Sequence, residues 1–308
     1  MVNPTDLTPD FGIEIQFDSK KESAAKAFRT LSEILEALHS IDIDLIGSID
    51  SEIKPITILE DLRKGSIKGW FKNILEKVPD EGLKDLDWKR AVGHYLVKAK
   101  YIIIRSLEGK TEITTREEIK SLERDLYELA KDTNVKQITS YTPIPTAKLV
   151  GSIRKVSTAL QYAEKDNHII YIAGQKEKAD FNLEFNFSPE SIEELLTKEK
   201  LSNETEMILK VKKPDYLGES QWDIRHEKII IYAKISDARW LKKFQERKIN
   251  VRPGDSLKAL VKTTVNYDYN NEVIGTHYEI LKVQNVIQAD NGNQLDIFPE
   301  DETQKTEE

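Results

Sequence analysis

Cysteine is missing from the sequence altogether, although the chain has 308 residues. Without thiols the chain cannot form disulfide bonds, thiolate metal sites or a cysteine nucleophile. The same absence suits a reducing compartment, and it therefore predicts a cytoplasmic protein.

Long hydrophobic runs are also missing. The most apolar stretch, from Val92 to Ile104, is interrupted by Lys98 and Lys100 and is shorter than the roughly 20 residues that span a bilayer. The N-terminal residues MVNPTDLTPDFG have neither the basic nor the apolar region of a secretory signal. We therefore expect a soluble protein that has no membrane partner.

Signatures of the common catalytic sites are absent as well. The chain has no Walker A loop, no GxGxxG motif after a strand, no GxSxG and no HExxH. Its histidines are scattered singly, and no two of them have the i, i+4 spacing of a helical metal site. From the sequence we assign no catalytic residue, no metal ligand and no cofactor.

What the sequence contains is typical of a folded protein, with 39% hydrophobic and 32% charged residues. Its net charge of −8 argues against a protein that coats nucleic acid with its whole surface, but it leaves room for a local basic patch. We predict an α+β fold, in which an N-terminal α/β-helical domain precedes a small C-terminal β-rich barrel. This barrel is predicted to be OB-like and to contain one inserted helix.

Changes in composition and pattern divide the chain into four predicted segments. Residues 1–136 are an N-terminal α+β domain. Residues 137–200 are a helix–hairpin–helix subdomain that either connects the two domains or closes the first one. Residues 201–288 are the barrel-like domain. Residues 289–308 are an acidic tail without hydrophobic residues after Phe298, which predicts disorder.

Three patterns in the N-terminal two thirds lead to specific predictions. Alternating apolar residues from Phe11 to Phe17 predict a half-buried strand. After Gly65, the apolar residues from Ile67 to Leu75 recur with helical spacing and predict a helix. The alternation from Phe181 to Phe187 predicts another strand.

The last third of the chain alternates most clearly. Met207, Leu209 and Val211 share one side of a predicted strand, whereas Lys210 and Lys212 share the other. Similar alternation recurs along residues 203–287 and is broken once by a short helical pattern. The predicted order is strand, strand, strand, helix, strand, strand, which is typical of a small OB-like barrel.

Basic side chains cluster in and after this short helix. We expect Trp240, Leu241 and Phe244 to dock the helix on the barrel and to leave the basic side outward. The residues predicted to bind a partner are Arg239, Lys242, Lys243, Arg247, Lys248 and Arg252. Basic and aromatic side chains on an OB-like barrel can bind single-stranded nucleic acid.

These observations favour a non-catalytic binding or adaptor protein, whose C-terminal barrel recognises a protein partner or a single-stranded nucleic acid. A homo-oligomer is compatible with them. One alternative is a metal-dependent nuclease, in which Asp44 or Asp50 and Glu52 would hold Mg²⁺ while Lys54 orients the attacking water. A second alternative is an accessory protein of a bacterial mobile element or antiviral defence system, because the charged α+β chain lacks a catalytic signature.

Overall fold

A computed structural model describes residues 10–18, 22–63, 67–76, 88–138, 140–174, 176–218 and 220–289. The predicted acidic tail lies outside these residues, except for Ala289. The chain divides into two compact units, residues 1–196 and residues 197–308. Both helices and sheets are present, which confirms the predicted α+β class.

The first unit contains most of the helices. Its elements are β1 (Phe11–Gln16), α1 (Ala24–Gly47), β2 (Lys54–Arg63), β3 (Ile67–Glu76), α2 (Trp88–Ser106), α3 (Arg116–Asp132), a 3₁₀ turn (Val135–Gln137), α4 (Thr146–Leu160), β4 (His168–Ala173), β5 (Glu177–Asp180) and α5 (Pro189–Leu196). None of the helices in the described part of the chain is long and apolar enough to cross a membrane.

The predicted strand at Phe11 is confirmed as β1, and it is the middle strand of a five-stranded sheet in the order β2-β3-β1-β4-β5. Ile13 lies opposite Gly69 on β3 and opposite Tyr171 on β4, and both of these pairings are antiparallel. Phe11, Ile13 and Ile15 are buried in the same core as the apolar sides of α1, α2 and α4. Since β4 pairs with β1, residues beyond 137 complete this sheet.

The helix predicted at Ile67–Leu75 is wrong, because these residues form β3. Ile67, Phe71 and Leu75 point to the same face of the sheet and are buried in the main core of the unit. Trp70 points to the opposite side of the sheet and forms a second cluster with Ile170 and Ile172. Apolar residues on both faces of one strand break its two-residue period and leave a spacing that resembles a helix.

The strand predicted at Phe181–Phe187 is also wrong, because it falls in irregular chain after β5. Phe181, Phe185 and Phe187 are buried as the alternation suggests. The side chain of Ser157 takes the place of a neighbouring strand. Its Oγ accepts from the backbone N–H of Phe187 at 3.1 Å and donates to the carbonyl of Phe185 at 3.3 Å. Burial was therefore predictable here, but the backbone pairing was not.

The second unit contains five strands and one helix in the predicted order. These elements are β6 (Glu199–Lys213), β7 (Trp222–His226), β8 (Ile229–Ile235), α6 (Ala238–Gln245), β9 (Ser256–Tyr267) and β10 (Val273–Ile287). The strands close into a barrel in the order β10-β8-β7-β6-β9. β8 and β10 pair in parallel, whereas the other pairings are antiparallel. The predicted small barrel with one inserted helix is confirmed.

Candidate binding surfaces on the barrel

Helix α6 docks on the barrel through the side that the sequence predicts. Leu241 and Phe244 are buried in the barrel core, and Trp240 packs against that core. The Phe244 ring lies 4.9 Å from the ring of Trp222 and 5.0 Å from that of Tyr216, measured between centroids. This aromatic cluster fixes which side of α6 faces solvent.

Asp237 holds the helix to the barrel at its first turn. As the N-cap residue, its Oδ1 accepts from the backbone N–H of Trp240 at 3.1 Å. Its Oδ2 accepts from the backbone N–H of Val283, on β10, at 3.3 Å. One carboxylate therefore satisfies a free donor of the helix and also joins the helix to a strand.

All six of the predicted binding residues are exposed. Arg239, Lys242 and Lys243 lie on the solvent side of α6. The others follow the helix, where Lys248 Nζ lies 2.6 Å from Glu246 Oε2. Arg247, which has a positive φ of 59°, lines a groove of about 630 Å³ together with Tyr216 and Leu217. The six residues run from the first turn of the helix to seven positions beyond its end, so they form a dispersed basic surface.

The loop between β6 and β7 is organised by one carboxylate. Asp215 Oδ2 accepts from the hydroxyl of Ser220 at 2.6 Å and from its backbone N–H at 3.0 Å. Asp215 Oδ1 accepts from the backbone N–H groups of Leu217 and Gly218, both at 3.0 Å. These hydrogen bonds, led by the one from the Ser220 hydroxyl, hold the pKa of Asp215 well below its usual range. They also keep Leu217 on the surface, where it is 97% exposed.

A different surface combines apolar and basic side chains on the outside of β6, β7 and β8. Alternate residues of these strands fill the barrel, and the residues between them point outward. We give the name outer strand face to five of these outward residues, Ile208, Lys210, Arg225, Ile230 and Tyr232. Asp223 of β7 also points outward, and it lies opposite Tyr232. Ile208 and Tyr232 are each 59% exposed, and Ile230 is 47% exposed.

The strand register places the charges of this face side by side. Lys210 lies directly opposite Arg225, and Arg225 lies opposite Ile230. Like charges in opposed positions destabilise a sheet. Neither Lys210 nor Arg225 forms a salt bridge with any residue in the described part of the chain. A bound anion would remove this repulsion.

The sequence contains a signal for the outer strand face that lies outside its basic cluster. Lys210 was predicted to point away from the buried side of its strand, and it does so. The run Ile229–Tyr232 places apolar residues at consecutive positions, so that some of them must point outward from any half-buried strand. The strand order of the barrel decides which strands are neighbours, and it places Arg225 beside Lys210.

The residues of the hypothetical nuclease site make other contacts. Asp44 lies on α1, where its Oδ2 accepts from Ser152 Oγ of α4 at 2.9 Å. Asp50 Oδ1 accepts from the backbone N–H of Glu52 at 3.0 Å. Within the described ranges, no group of three or more His, Asp or Glu side chains could hold a metal ion. The geometry gives the nuclease hypothesis no support.

Comparison of the chain with protein-family models, with curated proteins and with solved structures finds no match.

Proposed function

We propose that this protein is a non-catalytic binding protein whose barrel recognises single-stranded nucleic acid through the outer strand face. The observation that carries the proposal is the opposed pair Lys210 and Arg225, which lies beside exposed Ile230 and Tyr232. The proposed binding surface lies on the strands, whereas the sequence predicts it on the basic helix.

The arrangement of the barrel supports this choice of surface. Five strands close the barrel and a helix lies between the third and the fourth, which is the arrangement expected of an OB-type fold. Barrels of this type bind oligonucleotides on the face of their second and third strands and on the adjoining loops. Here the second and third strands are β7 and β8, and the first adjoining loop is the one that Asp215 organises.

The chemistry of the face matches that of a single strand. The phenol ring of Tyr232 offers a stacking surface for a base, and such stacking contributes about 1–3 kcal/mol per base. Ile208 and Ile230 extend the apolar area around it. Lys210 and Arg225 provide positive charge for backbone phosphates, whose contacts carry no base specificity. We therefore expect weak dependence on base sequence.

The test is fluorescence anisotropy with a labelled single strand of about 16 nucleotides, the upper end of the site size for one OB fold. Tyr232→Ala should weaken binding by about 5- to 150-fold, which corresponds to the loss of one stacked base. The double variant Lys210→Gln/Arg225→Gln should lower the slope of log affinity against log salt by about 1.4, because two phosphate contacts are lost.

The matched control is Lys242→Gln/Lys243→Gln, which removes the same charge from α6. It should leave both affinity and salt slope close to those of the unaltered protein. If this control loses binding and the outer strand face variants keep it, the basic helix is the binding surface and our proposal is wrong. If the unaltered protein ignores single strands at low salt, nucleic acid is not its partner.

A further inference from the structure

A basic cleft lies in the first unit, far along the chain from the barrel residues discussed above. It has a volume of about 920 Å³ and is formed by the first half of α2, the end of β3 and the turn between β4 and β5. This volume is within the range of about 300–1,000 Å³ that is typical of small-molecule sites. All of its described lining residues lie in residues 1–196.

Cations outnumber anions among the described residues that line this cleft. The described lining contains five Lys and Arg residues and two acidic residues, Asp10 and Glu177. The basic residues are Lys72, Lys89, Arg90, Lys98 and Lys176. Of these, Lys98 forms an ion pair with Glu177. The other four form no salt bridge with any residue that the structure describes.

Two neighbouring groups respond to this environment. Partial burial, with Lys98 and Arg90 close by, lowers the pKa of His94, which also lines the cleft. Burial raises the pKa of Asp10, although its Oδ2 accepts from the backbone N–H of Asn73 at 2.8 Å. Asn73 is itself buried, and its Nδ2 has no hydrogen-bond partner among the described residues. Among its described lining residues, the cleft therefore has an excess of positive charge.

Apolar residues also contribute to the lining, although the side chains of Ile74 and Leu75, which are consecutive in β3, point to opposite faces of the sheet. Ile74 and Leu75 of β3, Val97 of α2 and Ala173 of β4 belong to it. A ligand that matches this cleft has both an anionic part and a flat or compact apolar part.

Gly93 adds an independent observation. It lies inside α2, where glycine is less favourable than alanine. A Cβ atom built at Gly93 would meet no atom within 4 Å, so no neighbouring group in the described chain requires a glycine there. Because glycine has no side chain, the space beside Gly93 at the wall of the cleft is open.

We propose that this cleft binds a phosphorylated small molecule that carries an apolar ring, the class to which nucleotides belong. The phosphate groups contact Lys89, Arg90 and the neighbouring lysines, and the ring lies on the apolar lining. Arg and Lys are the side chains that suit phosphate oxygens, through charge and through multiple N–H donors. This site is separate from the outer strand face and does not depend on the function proposed above.

The experiment is isothermal titration calorimetry of the full chain with three probes: ATP, adenosine and tripolyphosphate. ATP should bind at least about tenfold more tightly than either of the others, because only ATP supplies both parts. Lys89→Gln/Arg90→Gln should weaken ATP binding by about tenfold or more, since it removes charge-assisted hydrogen bonds. Tripolyphosphate that binds as tightly as ATP would show a site for simple polyanions and would overturn the nucleotide assignment.

Gly93→Leu is the second variant, chosen because it should fold. It fills the open space and improves helix propensity, so that the melting temperature should be kept or raised while ATP binding is lost. Arg154→Gln/Lys165→Gln serves as the control, because it removes the same charge at exposed positions outside the cleft and should leave ATP binding unchanged. If Gly93→Leu and Lys89→Gln/Arg90→Gln both bind ATP as the unaltered protein does, or if ATP does not bind at all, the proposal is wrong.

Discussion

Lys100 and Asp42 form an ion pair in the interior of the first unit, where their side chains are 0% and 1% exposed. Lys100 Nζ lies 2.7 Å from Asp42 Oδ1 and 2.5 Å from Oδ2, so the contact joins α2 to α1. The same Nζ is 4.5 Å from the centroid of the Phe11 ring on β1. Burial raises the pKa of Asp42, and the charge of Lys100 opposes that shift. Each charge therefore depends on the other to remain in the core.

Removing one partner of this pair should be costly. Asp42→Asn leaves the Lys100 charge buried without a counter-ion, and we expect it to lower the free energy of unfolding by about 3–5 kcal/mol. The double variant Asp42→Leu/Lys100→Met should regain much of this loss, because apolar residues of similar size need no pairing. Urea unfolding followed by circular dichroism measures both. A single variant as stable as the unaltered protein would contradict this account.

The central strand β1 should tolerate truncation poorly. Ile13 is fully buried between β3 and β4, so Ile13→Ala should lower the free energy of unfolding by about 2–5 kcal/mol through lost contacts and a cavity. Ile56 on β2 is 41% exposed, and Ile56→Ala is the matched control. Its effect should be clearly smaller. Thermal melts of the two variants compare them directly, and equal losses would show that burial at the centre of the sheet does not set the cost.

The hydrogen bonds of Asp215 should make the stability of the second unit depend on pH. Its pKa in the folded protein lies below the usual value of about 4, so its hydrogen bonds stabilise the fold fully at neutral pH. This contribution is lost progressively as the pH falls below about 4, where the carboxylate of the unfolded chain becomes protonated. Asp215→Asn should therefore be less stable than the unaltered protein at pH 7, and the difference should shrink on acidification.

The measurement is the urea midpoint of both proteins at several pH values between about 7 and 3. Ser220→Ala provides a milder version, since it removes the hydroxyl that contributes most to the lowered pKa of Asp215. It should show the same trend with a smaller difference. A gap between Asp215→Asn and the unaltered protein that stays constant with pH would mean that the carboxylate charge is not the cause.

Local patterns in the sequence determined several elements without help from the fold. The capping pair Thr115 and Glu118 begins α3, where the Glu118 carboxylate accepts from the backbone N–H of Thr115 at 3.2 Å. Ser188 begins α5 in the same local way, with its Oγ accepting from the N–H of Ser191 at 3.0 Å. The order of the barrel strands and of α6 also followed from alternation. These features depend on contacts between residues a few positions apart in the sequence, or on the burial of one side of a single strand.

Tertiary structure decided the features that depend on two elements at once. The sequence of β3 resembles a helix because Trp70 is buried on one face of the sheet and Phe71 on the other. A single sequence does not show whether one or both faces of a strand are buried. The opposed Lys210 and Arg225 lie fifteen positions apart, and only the pairing of β6 with β7 brings them together. The basic cleft likewise draws on Asp10, which precedes β1, and on β3, α2 and the β4–β5 turn. Periodicity reports the burial of a residue, whereas the identity of its neighbour is set by strand register and helix packing.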